Sequence, residues 1–127
     1  MIEKLDRLAK NAAQRAYSPY SGIRVGAAVA DEAGRVFTGC NIENASYGLT
    51  LCAERVAIAT AVAAGATSIA ALSVAIHDDG ADVERFVPCG ACLQFLAEFA
   101  EPATRVSVCD VGEFTFGELL TNPFVVT

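Results

Sequence analysis

Residues 50–76 have the sequence TLCAERVAIATAVAAGATSIAALSVAI, in which no charged residue follows Arg55. The length of this uncharged run alone would be sufficient for a membrane-spanning helix. Most of its residues, however, are alanine, serine, threonine or glycine, which favour membrane insertion only weakly, and Gly65 interrupts the run. Its second half also becomes β-branched at Ile69 and Val74. We therefore predict a buried helix followed by a buried strand.

The hydrophobic periodicity on either side of this stretch predicts an α/β fold. Thr50 is placed to cap the central helix, and Gly65 is placed to end it. The predicted helices are residues 2–16, 51–64 and 88–100, the predicted strands are 25–29, 35–41, 69–76, 105–109 and 114–116, and a helical turn follows at 117–120. This order predicts a three-layer α/β/α sandwich with a mixed five-stranded sheet, formed by a single domain of residues 1–127.

The composition indicates an oligomer and argues against a nucleic-acid partner. Hydrophobic residues make up 54% of the 127 residues, which is a large share for a small domain that exposes much of its surface. We therefore expect oligomerisation to cover part of this apolar surface. Lys and Arg number 9 against 15 Asp and Glu, which gives a net charge of -6 without any basic cluster. A polyanion would be repelled, whereas a free nucleobase or nucleoside is compatible.

The cysteines and the first residues of the chain indicate a cytoplasmic protein. The cysteine count of 5 is odd, and Cys40 and Cys109 lie in predicted buried strands, so we expect free thiols in a reducing compartment. Residues 1–7 are charged and amphipathic, and no apolar core follows them. They resemble neither a signal peptide nor a membrane anchor.

Two short blocks, residues 52–55 (Cys-Ala-Glu-Arg) and 88–92 (Pro-Cys-Gly-Ala-Cys), supply three thiols and one carboxylate. Cys89 and Cys92 are at positions i and i+3 of a predicted helix, so their sulfurs face the same side. Cys52 offers a third ligand from the start of another predicted helix. Three protein ligands leave the fourth position of a tetrahedral zinc ion open to water, which is typical of a catalytic site.

Glu54 and Arg55 complete this candidate site. Glu54 follows Cys52 by two residues and is placed to exchange protons with the water. Zinc with three thiolates has a formal charge of about -1, which Glu54 makes more negative. Arg55 is the cation adjacent to the two blocks, and we expect it to compensate this charge together with the N–H groups of the helix starts.

Two other interpretations of the cysteines remain open. The three thiols could be buried without a metal, as free cysteines often are. The site could also be structural, with His77, Cys40 or Cys109 as the fourth ligand. His77 begins an acidic loop at residues 77–82, where we expect it to be solvated. As the single histidine, it also argues against a hydrolase triad.

Several motifs are similar to those of the small cytidine deaminases that use three cysteines. The signature of the zinc deaminases is a His or Cys with Glu two residues later, followed by Pro-Cys-x-x-Cys. The similarity covers nearly the whole chain, and its motifs are residues 17–21 (Tyr-Ser-Pro-Tyr-Ser), 25–28 (Val-Gly-Ala-Ala), 39–48 (Gly-Cys-Asn-Ile-Glu-Asn-Ala-Ser-Tyr-Gly) and 52–55.

This resemblance implies a cytidine deaminase-like fold and the deamination of cytidine and deoxycytidine in pyrimidine salvage. It implies one zinc ion held by Cys52, Cys89 and Cys92, with Glu54 moving protons among water, the ring and the leaving amine. It also implies a homotetramer with shared active sites. The implied substrate contacts are Asn41 and Glu43 with the ribose hydroxyls, the Ala53 backbone with the base, Ile23 at the base-packing position, and Ala45, Tyr47 and Phe124 at a neighbouring subunit's site.

Three departures from the family pattern leave other functions open. Residues 23–24 are Ile-Arg where the family has Phe-Pro, Leu93 stands where Arg is common, and the tail reaches Phe124 through a longer segment. One alternative is therefore a deaminase for a modified cytosine nucleoside or an antibiotic such as blasticidin S. Another is a non-catalytic oligomer that is stabilised by zinc and binds a nucleoside.

Overall fold

The structure, a computed structural model, describes residues 1–77 and 86–126. Its α-helices are α1 (Ile2–Ala13), α2 (Ala53–Ala63), α3 (Gly90–Ala97) and α4 (Phe116–Leu119), and a single 3-10 turn covers Tyr47–Leu49. Its strands are β1 (Arg24–Asp31), β2 (Val36–Cys40), β3 (Ile69–His77), β4 (Arg105–Val108) and β5 (Gly112–Thr115).

The five strands form one mixed sheet in the order β2-β1-β3-β4-β5. The β1–β2, β1–β3 and β4–β5 pairs are antiparallel, and the β3–β4 pair is parallel. A parallel pair requires a crossover connection, and the segment that includes α3 provides it. The sequence prediction of a mixed five-stranded sheet is confirmed.

Helices cover both faces of the sheet. The side chains of β1 alternate between the two faces, so this strand contributes apolar residues to a core on each side. Ala27 and Val29 belong to the core that packs under α2 and α3, whereas Ala28 and Ala30 belong to the core under α1. The predicted three-layer α/β/α arrangement is therefore confirmed. The uncharged stretch forms α2 and β3, a buried helix followed by a buried strand, as its sequence predicts.

Small residues let α2 lie unusually close to the sheet. A Cβ atom at Gly39 of β2 would be 2.5 Å from the backbone nitrogen of Ala57 and 2.8 Å from the carbonyl oxygen of Ala53. Ala53, Ala57 and Ala61 are fully buried at this contact. The helix that carries Cys52 at its start is thus held in place by direct contact with the sheet.

The predicted cap of α2 is wrong. Cys52 is the N-cap residue, and the Thr50 hydroxyl instead accepts a hydrogen bond from the Asn44 N–H at 3.2 Å. Ile42 and Leu51 exchange two backbone hydrogen bonds of 2.9 Å, which keep residue 51 extended and delay the start of the helix. The cysteine therefore stands at the helix terminus itself.

Other element bounds also differ from the prediction. Helix α1 ends at Ala13 instead of residue 16, since Tyr17 pairs with the chain at Asn41 and Glu43. Helix α3 begins at Gly90 and ends at Ala97, because Phe99 turns back to accept a hydrogen bond from the Ile69 N–H at 2.8 Å. The predicted loop at 77–82 lies outside the described residues except for His77, which is the exposed last residue of β3.

None of the helices in the described parts of the chain is long and apolar enough to cross a membrane.

Candidate metal centre and catalytic site

The sulfur atoms of Cys52, Cys89 and Cys92 all lie within 4.8 Å of one another. Cys89 and Cys92 are 3.5 Å apart. The sulfurs of a tetrahedral zinc site, each about 2.3 Å from the metal, are separated by about 3.8 Å. The three thiols therefore fit a zinc ion with only small adjustments, and the structure brings together the ligand set that the sequence predicts.

The three sulfurs meet because two helices begin at the same point. Cys52 is the N-cap of α2 and Cys89 is the N-cap of α3, while Cys92 lies in the first turn of α3. Neither N-cap residue uses its side chain to cap the helix, so both sulfurs are free to face the metal position. The positive ends of the two helix dipoles also favour thiolates there.

Arg55 is the cation that contacts this thiol cluster. Its Nη2 atom is 3.3 Å from the sulfur of Cys52, and its Nε atom is buried without a hydrogen-bond partner among the described residues. Hydrogen bonds from Cys92 and then from Arg55 lower the pKa of Cys52 to about 5, although burial opposes the shift. The pKa of Cys92 is raised, because its hydrogen bond to Cys52 and its burial both favour the thiol form. One thiolate is thus favoured even before a metal binds.

Glu54 is the buried carboxyl group of the site. It lies in the first turn of α2, and only 3% of it is exposed to solvent. Burial raises the pKa of Glu54 to about 7, with the negative charge of Cys52 as a smaller contribution. A carboxyl group with a pKa near neutrality can both accept and donate protons at physiological pH, which suits general acid–base catalysis.

A cavity of about 180 Å³ opens beside the thiols and the carboxyl group. A second cavity of about 390 Å³ adjoins it, because Thr50 lines both. Asn41, Ala53 and Glu54 line the first cavity, and Glu43 and Tyr47 line the second. These five residues, which the sequence predicts to be in the site, therefore line two adjoining cavities.

Asn41 and Glu43 already make hydrogen bonds to the first residues of β1 and to the segment that leads into it. The Asn41 side chain accepts from the Val25 N–H at 2.8 Å and donates to the Ile23 carbonyl at 2.9 Å. The Glu43 carboxylate accepts from the Tyr20 and Ser21 N–H groups and from the Ser21 hydroxyl. The hydrogen bond from the Ser21 hydroxyl is the main reason that the pKa of Glu43 is lowered. Both side chains hold this segment in place beside the cavities.

Three of the predicted substrate-contact residues line neither cavity. Ile23 is 39% exposed, and Ala45 is exposed in the loop before the 3-10 turn. Phe124 is 73% exposed, and its position is fixed through its backbone. The Gln94 side chain accepts from the Phe124 N–H and donates to the Phe124 carbonyl, each at 3.0 Å, and thus ties the tail to α3.

Sequence reasoning missed Phe86 and Gln94. Phe86 lines the first cavity together with Cys52 and Glu54. Its place two residues before Pro88 was the available signal, since a large apolar residue flanks the cysteine block there. Gln94 had no comparable signal, because its partner is 30 residues away in the sequence.

Comparison with known proteins agrees with this geometry. Residues 1–109 match the family described as the cytidine and deoxycytidylate deaminase zinc-binding region. The cytidine deaminase of Sporosarcina psychrophila is 42% identical over an alignment of 127 positions that covers 97% of this chain and 90% of that protein. The cytidine deaminase of Halalkalibacterium halodurans is 43% identical over 96% of this chain and 92% of its own length.

Solved structures extend the similarity to the whole fold. The crystal structure of the Mycobacterium tuberculosis cytidine deaminase superimposes with a TM-score of 0.86 and 37% identity, covering 98% of both chains. That of the Burkholderia pseudomallei cytidine deaminase gives a TM-score of 0.84 and 40% identity, covering 98% of this chain and 99% of its own. This chain therefore belongs to the zinc-binding cytidine and deoxycytidylate deaminase family.

Proposed function

We propose that this protein converts cytidine and deoxycytidine to uridine and deoxyuridine by hydrolysis, with release of ammonia. The observation that carries the proposal is that buried Glu54 shares one small cavity with Cys52 and Cys89. A structural zinc site has no use for a buried carboxyl group at its side, whereas a hydrolytic site requires a proton carrier there. Relatives that are similar over almost the full chain are named cytidine deaminases.

In this mechanism, Cys52, Cys89 and Cys92 hold the zinc ion, which when bound acts as a Lewis acid that promotes ionisation of water. Glu54 accepts a proton from the water that attacks C4 of the pyrimidine and passes it to the ring nitrogen N3. Glu54 then transfers the remaining proton of the water to the amino group on C4. The amino group leaves as ammonia, and the water oxygen remains as the O4 atom of uridine.

In this proposal, the base of the nucleoside binds in the first cavity and its sugar binds in the second. The first cavity, about 180 Å³ in volume, is smaller than most sites for small molecules, so it suits the base rather than a whole nucleoside. The N–H of Ala53 is in the first turn of α2, where helical N–H groups have no partner within the helix, and it is available to the base. The sugar then lies toward Glu43 in the second cavity.

Asn41 and Glu43 retain enough hydrogen-bonding capacity for the sugar. A carboxylate offers about four acceptor positions, and the Glu43 carboxylate uses three of them within the protein. The Asn41 amide keeps one N–H and one acceptor position after its two contacts. The two residues can therefore bind ribose hydroxyls while they continue to hold the segment before β1.

A homotetramer with shared active sites is the assembly that we propose. Among the residues that the structure describes, Tyr47, Leu49, Phe124, Val125 and Val126 are each at least 66% exposed. An apolar surface of this kind is more typical of a subunit contact than of a surface in water. In the proposed tetramer, Ala45, Tyr47 and Phe124 of one copy complete the site of its neighbour, which explains why Ala45 and Phe124 line neither cavity of their own chain.

The proposed setting is the cytoplasm, where residues 1–127 act as one domain without a nucleic-acid or membrane partner. All five cysteines are free thiols, which a reducing compartment maintains. The net charge of -6 disfavours contact with nucleic acids.

Replacing Glu54 distinguishes a deaminase from a non-catalytic binding protein that zinc only stabilises. We expect Glu54→Gln to keep about one zinc ion per chain and to fold normally, because glutamine has nearly the same shape. Turnover of cytidine should fall at least about a thousandfold, since the proton carrier is lost. The loss of cytidine absorbance measures turnover, and metal analysis of the same preparations is the control. A variant that keeps wild-type turnover would contradict the assignment of Glu54.

Replacing Arg55 tests charge compensation at the thiol cluster. Arg55→Gln removes a charge-assisted hydrogen bond to Cys52, and such bonds contribute about 1.5–3 kcal/mol. We expect kcat to fall about tenfold or more while zinc content changes little. The matched control is Arg7→Gln, which removes an exposed arginine from α1. Equal losses of zinc and rate in the Arg55 variant would instead make Arg55 a purely structural residue.

Sedimentation velocity tests the proposed assembly. We expect the wild type to sediment as a tetramer, with about four times the mass of the 13.2 kDa chain. Mixing an inactive Glu54→Gln chain with a Phe124→Ala chain should restore part of the activity that Phe124→Ala loses, because each copy supplies the other's missing group. A fully active monomer would exclude shared sites.

A further inference from the structure

We propose that Phe86 stacks on the pyrimidine ring and is the aromatic contact that the chain's own cavity offers to the base. This inference rests on the proposed function, because it assumes that a nucleoside base occupies the first cavity. It concerns a residue that the family motifs do not include.

Phe86 lines the cavity into which the start of α2 opens. It precedes the second cysteine block, and it lines the same cavity as Cys52, Glu54 and Cys89. Most of the lining comes from two separate segments, residues 50–54 and the chain around the second cysteine block, which contributes Phe86, Val87 and Cys89. A flat ring that enters between these segments is placed beside both Phe86 and the groups that carry out the chemistry.

The Phe86 side chain is held in a defined position. It is half-buried and packs against the core cluster that includes Leu93, Leu96 and Val74. Packing of this kind restricts the rotamers of the ring, so little further entropy is lost when a ligand stacks on it. A preorganised aromatic wall is what tight binding of a flat base requires.

Phe86 is also the one aromatic residue among the described residues that line this cavity. The other apolar contributions come from Val25, Leu51, Ala53 and Val87, which have no flat π-face. A base has a flat π-face that stacks on an aromatic side chain, and replacing such an aromatic residue by alanine weakens binding of the base several-fold or more.

Ile23 cannot supply this contact in the described arrangement. It is 39% exposed, and it lines neither of the two cavities at the site. Its backbone is fixed on both sides, since its N–H donates to the Ser21 hydroxyl at 3.0 Å and its carbonyl accepts from Asn41. Within the chain's own cavity, Phe86 is therefore the aromatic residue placed to contact the base.

Substitutions at position 86 test the inference by steady-state kinetics with cytidine. We expect Phe86→Ala to raise KM at least about fivefold with kcat nearly unchanged, because stacking stabilises the ground state and the transition state alike. Phe86→Leu keeps apolar packing on the core but has no aromatic face, and it should raise KM nearly as much. Phe86→Tyr should restore a KM within about twofold of the wild type. The matched control is Phe37→Leu, which shortens another half-buried phenylalanine on the same core cluster that lines neither cavity, and its KM should stay within about twofold of the wild type.

Titration of the product uridine by calorimetry separates this inference from the proposed function. We expect uridine to bind Phe86→Leu at least about fivefold more weakly than the wild type, with unchanged zinc content and thermal unfolding midpoint. Equal uridine affinity in the two proteins would overturn the role of Phe86 even if cytidine is deaminated. A wild-type protein that binds uridine but does not deaminate cytidine would refute the proposed function. The uridine titration would still show whether Phe86 contributes to binding of the base.

Discussion

The whole site depends on α2 and α3 beginning at the same point in space. A metal ligand set of three sulfurs requires two distant parts of the sequence to meet within a few ångströms, and both arrive as helix N-caps. The contact of Gly39 with Ala53 and Ala57 fixes α2 on the sheet, because any side chain at position 39 would collide with the helix backbone. Close packing of the first turns of α2 on the sheet thus sets the position of Cys52.

The site combines groups with opposing electrostatic requirements. Burial favours the neutral form of Glu54, whereas Arg55 and the start of α2 favour negative charge on the sulfur of Cys52. A carboxyl group that is easily protonated beside a thiol that is easily ionised is the combination that a metal-assisted hydrolysis needs. The short spacing from Cys52 to Arg55 places all these groups within one helical turn.

Sequence reasoning succeeded where the relevant spacing is local. Cys89 and Cys92 at i and i+3, and Glu54 two residues after Cys52, could be assigned because one helical turn determines their relation. It failed where a partner lies far along the chain. The bridge between Ile42 and Leu51 moves the start of α2 to Cys52, and no local pattern near Thr50 reveals it. The hydrogen bonds of Asn41 to the start of β1, and those of Gln94 to the Phe124 backbone, also join residues that are far apart in the sequence.

X-ray absorption at the zinc edge of the purified protein measures whether three cysteines leave one metal position open for chemistry. We expect about three sulfur neighbours at about 2.3 Å and one oxygen or nitrogen neighbour at about 2.0–2.2 Å. Four sulfur neighbours would contradict it, because Cys40 or Cys109 would then close the site and leave no position for water.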